Sequence, residues 1–314
     1  MSFRNIVGQE VPKKLLQSQI NSNRIGTSYL FYGPEGVGKT LTAKTFAKAI
    51  NCDNAMGDAC NICQVCKGIE RNLDFTIIEP SSTQTIGIDQ IRSIKSITSF
   101  QAVWLKFRVI VIKEADTLTE EASNAFLKIL EESPPRTIFI LTTSKIDAIL
   151  PTVRSRCQQI RFRNLSFKEV KKLVPEAPEF VLHLANGSVT RALRLMEPKW
   201  IELKNIAIKF LEYSFTKRVQ MFCVEKDITL HSIGTTVYEE IKEFLWIIQE
   251  LYVDLLVKNL KVDGPIKNTD IEFKKGVPIL KILEAILTCE RAFYAFSHNV
   301  HRKLILYWLS KELP

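Results

Sequence analysis

The sequence predicts a three-layer α/β domain with a parallel sheet, followed by an all-helical remainder. Short apolar runs alternate with helix-like segments up to about Arg163, which is typical of a parallel sheet. One of these runs, Ser28–Tyr32, leads directly into a glycine-rich loop at residues 33–40. From Asn164 onward the strand signals fade and amphipathic helical patterns follow. We therefore expect a nucleotide-binding domain at residues 1–163, a small helical unit at 164–203 and a helical domain at 204–314.

The glycine-rich loop G-P-E-G-V-G-K-T fits the phosphate-binding pattern G-x-x-x-x-G-K-[ST]. It lies between a predicted strand and a predicted helix at Leu41–Ile50, which is the context that this motif requires. Lys39 is expected to reach the outer phosphates and Thr40 to offer its hydroxyl to Mg²⁺. The alternative is a chance glycine-rich turn without a ligand. The predicted nucleotide-binding residues of the loop are Gly33, Pro34, Glu35, Gly36, Val37, Gly38, Lys39, Thr40 and Leu41.

The other elements of the α/β domain follow from apolar runs and helical stripes. Continuous apolar runs are expected for parallel strands that are covered on both faces. Isoleucines at every third position predict a helix over Ile88–Ile97, and Thr119 is a plausible N-cap of a helix that ends near Glu132. The further predicted strands are Phe75–Pro80, Arg108–Ile112, Thr137–Thr143 and Gln158–Phe162.

The end of the predicted strand Arg108–Ile112 bears on ATP hydrolysis. In P-loop ATPases this strand normally ends in an aspartate that holds Mg²⁺, followed by a glutamate that polarises the attacking water. Here the corresponding residues are Lys113 and Glu114. Glu114 can act as a residual base, but an ammonium at position 113 repels Mg²⁺. Asp116 lies two residues beyond Glu114, and nothing in the sequence indicates that it substitutes.

Four cysteines follow the predicted loop and helix at the spacing C-x₇-C-x₂-C-x₂-C. Four thiolates can close a tetrahedron around Zn²⁺ and leave no open position, which makes such a site structural. An iron–sulfur cluster is the alternative ligand, and free buried thiols are the alternative without a metal. We expect a zinc module over residues 52–66, with the ligands Cys52, Cys60, Cys63 and Cys66.

Composition and charge favour an ordinary globular protein with an anionic partner. The 314 residues are 46% hydrophobic and 25% charged, with a formal net charge of +9. Nucleic acid is the first candidate partner, although a basic surface without such a role is common. Arg92 and Lys95, beside the isoleucine stripe, are candidate DNA contacts or part of a solvated helix face. No secretory signal or membrane-spanning run is evident, so we expect a cytoplasmic protein whose seven cysteines are thiols or metal ligands.

The helical remainder shows two apolar faces, which are typical of a helix-bundle core or a subunit interface. A polar stretch at Val262–Gly276 interrupts it. One face contains Trp246, Ile248, Leu251, Leu255 and Leu256, and the other contains Leu304, Ile305, Trp308 and Leu309.

Together these motifs resemble a known family. The phosphate-binding loop, the four-cysteine insertion, N-A-F-L-K-I-L-E-E-S-P at 124–134 and S-R-C at 155–157 are similar to the bacterial DNA polymerase III clamp loaders. These are AAA+ subunits that open a sliding clamp and place it on primed DNA. The resemblance covers residues 3–200 and extends more weakly to the tail, which looks like a collar domain. It implies an AAA+ P-loop domain, a small helical lid domain and an all-α collar domain.

The resemblance also implies ligands, partners and site residues. ATP or ADP, with Mg²⁺ in question, is the expected nucleotide, and the polymerase reaction belongs to the holoenzyme rather than to this chain. Arg156 of S-R-C is expected to reach the ATP site of a neighbouring subunit, whereas Arg154 is a surface cation by default. Thr143 matches the position of the family's sensor residue. The implied partners are the gamma/tau and delta subunits, the sliding clamp and primed DNA, with no membrane.

Within the family, three features favour a delta-prime type of subunit over the ATP-hydrolysing gamma/tau type. These are the length of 314 residues, the I-D-Q-I-R segment at 88–92 and Lys113 at the strand end. Thr190 stands where gamma-type subunits have a sensor arginine, and Arg191 is offset by one residue. We expect weak or absent ATPase activity of its own. An active gamma/tau-type or other AAA+ ATPase is the alternative, and a zinc-dependent nucleic-acid-binding module without nucleotide is disfavoured by the complete loop.

Overall fold

The computed structural model describes most of the chain as two compact units. The first contains Met1–Pro175 with Asn186–Thr190, and the second contains Glu176–Ala185 with Arg191–Pro314. The predicted polar stretch Val262–Gly276 lies outside the described residues. The described residues are 2–54, 57–82, 84–98, 102–132, 135–223, 237–261, 277–298 and 300–314.

A five-stranded parallel sheet forms the centre of the first unit. Its order is β2-β3-β4-β1-β5, so that β1 lies between β4 and β5. This arrangement confirms the predicted fold class, and the strands lie where the apolar runs predict them, with the second and fifth shorter than expected. The strands are β1 (Ser28–Tyr32), β2 (Phe75–Ile78), β3 (Arg108–Ile112), β4 (Thr137–Thr143) and β5 (Gln158–Arg161).

Helices cover both faces of this sheet, because successive strand residues point to opposite sides. Thr119 caps its helix as predicted, since its hydroxyl accepts a hydrogen bond from the backbone N–H of Ala122. The helices of the first unit are α1 (Glu10–Asn21), α2 (Lys39–Asn51), α3 (Gln64–Gly68), α4 (Ile88–Thr98), α5 (Glu120–Glu131), α6 (Pro151–Arg154) and α7 (Phe167–Leu173).

Two apolar clusters, one on each face of the sheet, form the contacts between the sheet and the helices. On one face, Tyr29, Val109 and Ile140 of the strands pack in a cluster with α1 and α2. On the other face, the neighbouring strand residues Leu30 and Ile110 belong to a second cluster with α4 and α5. The alternation explains why the central strands are apolar at consecutive positions.

The second unit is helical in its described residues. Edge-to-face pairs such as Phe210 with Phe244 and Trp200 with Trp246 contribute to its packing. Leu304 is 63% exposed, so it is not part of the buried face that the sequence predicts for this helix. None of the described helices is long and apolar enough to span a membrane. The remaining helices are α8 (Glu179–Leu184), α9 (Val189–Leu195), α10 (Pro198–Glu212), α11 (Phe215–Cys223), α12 (Val237–Leu260), α13 (Ile279–Ser297) and α14 (Arg302–Glu312).

Candidate nucleotide-binding site and metal centre

The glycine-rich loop joins the end of β1 to the start of α2, as the motif predicts. Gly33, Gly36 and Gly38 all have positive φ angles, of 139°, 71° and 95°. At Gly33 a Cβ atom would lie 2.2 Å from the carbonyl oxygen of Phe162, so no larger residue fits. At Gly38 the space is open, and the left-handed backbone alone favours glycine. The loop therefore presents backbone N–H groups at the N-terminus of α2, an arrangement suited to anions.

The side chain of Lys39 folds over this loop. Its Nζ donates hydrogen bonds to the carbonyl oxygens of Gly33, at 2.6 Å, and of Pro34. Burial lowers the pKa of the Lys39 ammonium to about 8, and the nearby carboxylates of Glu35, Asp116 and Glu114 oppose that decrease. A cation held at the loop in this way is available to charged oxygens that enter it.

The segment Asn186–Thr190 also contacts the loop, which the sequence did not reveal. The backbone N–H of Val189 donates to the carbonyl oxygen of Gly36 at 3.0 Å. A Cβ atom at Gly36 would lie 2.2 Å from Ser188 Oγ and 2.9 Å from Thr190 N. Thr190, at the position of the gamma-type sensor arginine, thus lies against the loop, whereas the Arg191 guanidinium stacks 3.9 Å from the ring centroid of Trp246.

Lys113 follows β3 and faces the neighbouring strand β2. Its Nζ lies 3.3 Å from Oε1 of Glu79, and its backbone N–H donates to the carbonyl oxygen of Ile78. The cation at the expected magnesium position is therefore partly balanced by a carboxylate that follows β2. Glu114 is exposed and has a left-handed backbone with φ of 53°.

Thr143 and Asp116 form a polar pair at the same edge of the sheet. Thr143 ends β4, is 1% exposed and donates its hydroxyl to Asp116 Oδ1 at 2.6 Å. The same hydroxyl oxygen accepts the backbone N–H of Lys145 at 2.9 Å. Asp116 also acts electrostatically on Lys39, so the structure brings together a carboxylate, a hydroxyl and the loop ammonium that sequence spacing did not connect.

Gln9 is a further residue that the sequence did not single out. It is 1% exposed and has a left-handed backbone with φ of 53°. Its Nε2 donates to the carbonyl oxygens of Arg163, at 2.7 Å, and Val37, at 3.3 Å, and its Oε1 accepts the backbone N–H of Arg163. One buried amide thus ties the start of α1, the phosphate-binding loop and the exit of β5. The only signal in the sequence is its position after Gly8 and before a helix.

Arg156 of the S-R-C motif lies between α6 and β5 with its side chain 40% exposed. Its Nη2 is 2.6 Å from Oε1 of Glu131 at the end of α5, and its Nη1 donates to the carbonyl oxygen of Thr152 at 3.1 Å. Arg154 pairs instead with Asp147 at 3.3 Å. Cys157 is buried, and burial raises the pKa of its thiol to about 12, so this cysteine stays protonated near neutral pH.

The four clustered cysteines come together as predicted, with all Sγ atoms within 4.8 Å of one another. A tetrahedral Zn²⁺ with Zn–S bonds of about 2.3 Å places sulfurs about 3.8 Å apart, and the Sγ atoms of Cys60 and Cys66 are 3.9 Å apart. Backbone N–H groups of Cys63 and Ile62 lower the pKa of Cys60 to about 6, whereas burial raises that of Cys66 to about 12. The donor set and its spacing fit a closed four-thiolate metal site.

Arg92 and Lys95, the predicted DNA-contact candidates, are exposed on α4. Arg92 Nη1 lies 3.2 Å from Oδ1 of Asp89, one turn earlier on the same helix, and both side chains are largely exposed. These contacts fit a solvated helix face as well as a nucleic-acid contact.

The fold and this loop define the chain as a P-loop protein of the AAA+ class with a helical C-terminal region. Residues 8–166 match the protein family described as DNA polymerase III, delta subunit. The chain therefore belongs to the DNA polymerase III clamp-loader family of delta and gamma/tau type.

Curated relatives carry gamma and tau names. The tau subunit of Bacillus subtilis (strain 168) is 36% identical over 208 residues, covering 62% of this chain and 37% of that protein. The gamma/tau subunit of Mycoplasma genitalium is 30% identical over 325 aligned residues, covering 94% of this chain and 52% of that protein. The chain thus spans about half or less of the length of these relatives.

A solved structure shares the fold. The gamma subunit-related protein of Thermotoga maritima MSB8 superposes with a TM-score of 0.53 at 17% identity, covering 96% of this chain and 99% of that one. At this identity the likeness shows the fold alone. The relatives named above do not identify the delta-prime type that the sequence features favour.

Proposed function

We propose that this chain is a delta-prime type subunit that helps an AAA+ assembly to open a sliding clamp and load it on primed DNA. In this proposal it binds ATP or ADP but contributes to catalysis mainly in a neighbour's site. The observation that carries the proposal is the combination of a complete phosphate-binding loop with Lys113 at the strand end, paired to Glu79 at 3.3 Å. Membership of the clamp-loader family supports the setting.

In the chain's own site, the loop from Gly33 to Leu41 would hold the nucleotide phosphates. Backbone N–H groups at the start of α2 and the Lys39 ammonium supply the positive charge. The Thr40 hydroxyl would be a ligand for Mg²⁺, whereas the positive charge of Lys113 would repel the metal ion. Glu114 would serve as a residual base, and Thr143 would sense the outer phosphate; its hydrogen bond to Asp116, which also acts on Lys39, supports that role.

Toward the neighbouring subunit, Arg156 would offer its guanidinium to the transferred phosphoryl group. An arginine supplied in trans is worth about 10³–10⁵ in rate in phosphoryl-transfer systems. Its exposure supports this role, because a guanidinium that serves a neighbour must reach the surface of its own chain. It lies at the junction of α6 and β5, where its contacts with Thr152 and Glu131 orient the guanidinium.

An active gamma/tau-type ATPase is the second candidate. The names of the curated relatives favour it, as do the complete loop and the retained Glu114. Lys113 argues against a gamma/tau-type ATPase, because it occupies the position where a hydrolysing subunit needs an acidic residue.

The remaining parts of the proposal concern the metal, the domains and the partners. Zn²⁺ would be held by Cys52, Cys60, Cys63 and Cys66 and would stabilise the excursion over residues 52–66. We propose an AAA+ domain to residue 163, a lid domain at 164–203 and a collar domain at 204–314 that assembles with gamma/tau and delta subunits. The proposed location is the cytoplasm, where primed DNA and the sliding clamp are the further partners.

The two candidates differ in what the isolated chain does with ATP. Calorimetry measures binding, and phosphate release measures turnover, for the wild type, Lys113→Asp and the loop control Lys39→Ala. We expect the wild type to bind ATP and hydrolyse it slowly, Lys39→Ala to lose binding, and Lys113→Asp to raise Mg²⁺-dependent turnover by about tenfold or more. Brisk turnover by the wild type at physiological Mg²⁺ would instead favour the gamma/tau type.

A further inference from the structure

The positive charge of the chain is concentrated around β5 and α7. Residues 151–175 contain seven lysines and arginines and one acidic residue, Glu169, whereas the whole chain contains 43 basic and 34 acidic residues. This short range therefore accounts for most of the net charge of +9. Where ion pairs do not neutralise such a concentration of positive charge, it attracts anionic partners.

Ion pairs neutralise three of the seven basic residues. Arg154 pairs with Asp147, Arg156 with Glu131, and Arg163 with Glu169. In the part of the chain that the structure describes, the other four form no ion pair, and all four are exposed. These four, which we name the α7 basic surface, are Arg161, Lys168, Lys171 and Lys172.

The three lysines share one side of α7. They occupy positions i, i+3 and i+4, which are neighbours on a helix surface. The opposite side of the helix carries Val170, which is fully buried. The lysines therefore point away from the core toward solvent.

Arg161 lies at the edge of the sheet from which the chain leads to α7. It ends β5, which is an edge strand. In extended chain, residues two positions apart point to the same side, and Arg163 uses that side to bind Glu169 of α7 at 2.7 Å. This ion pair links the segment after β5 to α7. It also neutralises Glu169, the one acidic residue among residues 151–175.

We infer that the α7 basic surface binds the sugar–phosphate backbone of DNA. Its charged groups are long and flexible and form no ion pair among the described residues, and the aromatic residue of α7, Phe167, is half-buried, so the surface suits phosphates rather than bases. A membrane surface is a poorer fit, because α7 has only seven residues and its central apolar residue, Val170, is fully buried, which leaves no continuous exposed apolar face for lipid. The inference deepens the proposed function, in which primed DNA is handled, but it does not involve Arg156 or the nucleotide.

The test measures binding of the full chain to a fluorescent duplex oligonucleotide by anisotropy over a series of salt concentrations. The variant is Lys168→Gln/Lys171→Gln/Lys172→Gln. The control variant is Lys281→Gln/Lys303→Gln/Lys311→Gln, which removes the same charge from exposed positions of the second unit. Each phosphate contact contributes about 0.9 to the slope of log K against log salt.

We expect the α7 variant to lower the magnitude of that slope by about 2–3 and to weaken binding at low salt by at least about tenfold, with the control close to wild type. Equal losses in both variants would overturn the inference, because they would reflect net charge alone. Unchanged binding in the α7 variant, or lysine-dependent binding to vesicles containing anionic lipid but not to DNA, would also overturn it. The two proposals can fail separately. If the α7 variant loses DNA binding while Arg156→Ala leaves ATP turnover of the assembly unchanged, the DNA-binding surface is supported and the trans-arginine role is rejected.

Discussion

The guanidinium of Arg156 and the carboxylate of Glu131 form an ion pair with 2.6 Å between Nη2 and Oε1. Glu131 ends α5 and Arg156 precedes β5, so the pair links two elements that are 25 residues apart in sequence. Both side chains remain partly exposed, at 40% and 52%. A phosphate that approaches Arg156 from a neighbouring subunit must therefore compete with Glu131 for the same guanidinium.

This competition predicts the effect of Glu131→Gln. The substitution keeps a hydrogen-bond acceptor but removes the opposing charge. Exposed ion pairs contribute about 0.2–1 kcal/mol, so we expect ATP turnover of the reconstituted assembly to rise by about 1.5–5-fold. Glu132→Gln, on the next residue, is the control and leaves turnover unchanged. A tenfold fall with Glu131→Gln would show that Glu131 orients Arg156 for catalysis rather than competing for it.

The cysteine cluster predicts one bound zinc ion per chain, measured by plasma mass spectrometry of the purified protein. Cys60→Ser should lose most of this metal and lower the unfolding temperature, because the segment over residues 52–66 loses its ligand. Cys289→Ala, at a buried thiol outside the cluster, should keep the zinc even if it lowers stability. Detection of iron together with visible absorption would show that the site holds an iron–sulfur cluster instead of zinc. Detection of no metal in the wild type would show that the four cysteines are free thiols.

The pair formed by Glu169 and Arg163 predicts part of the acid sensitivity. The hydrogen bond from Arg163 is the main cause that lowers the pKa of Glu169 to about 2. A carboxyl group whose pKa is lower in the folded state than in the unfolded state stabilises the protein at pH values above its unfolded-state pKa. This contribution is lost as pH falls from about 5 toward 2. Because Arg163 is 54% exposed, screening reduces the contribution to about 1 kcal/mol.

We therefore expect Glu169→Gln to lower the free energy of unfolding by about 1 kcal/mol at pH 7 and by much less at about pH 2, measured with urea. Glu176→Gln, at an exposed position, is the matched control and should change neither value appreciably. A loss of the same size at both pH values would mean that the Glu169 side chain acts through packing or hydrogen bonding rather than through its charge.

Much of the fold was predictable because its signals are local. The continuous apolar runs at Arg108–Ile112 and Thr137–Thr143 became strands with the same bounds, since central parallel strands bury both faces. The strand that begins at Phe75 ends at Ile78, shortly before Pro80, which has no N–H to donate to a neighbouring strand. The close cysteine spacing likewise placed four thiols in one cluster.

The contacts that shape the candidate site were not predictable, because they depend on which strands are neighbours. Lys113 pairs with Glu79 only because β2 lies beside β3, and Gln9 reaches Arg163 across 154 positions of sequence. The backbone contact of Val189 with Gly36 likewise joins segments that no local pattern connects. Residue types indicated the chemistry, and the topology of the sheet decided the partners.

The central claim is that this chain contributes to catalysis through Arg156, in a neighbour's ATP site. The most direct test reconstitutes the assembly with gamma-type and delta subunits and compares ATP turnover for the wild type, Arg156→Ala and the adjacent control Arg154→Ala. We expect Arg156→Ala to slow the affected site by about 10³-fold or more, with complex formation unchanged and Arg154→Ala near wild type. Unchanged turnover in an intact Arg156→Ala assembly would contradict the account.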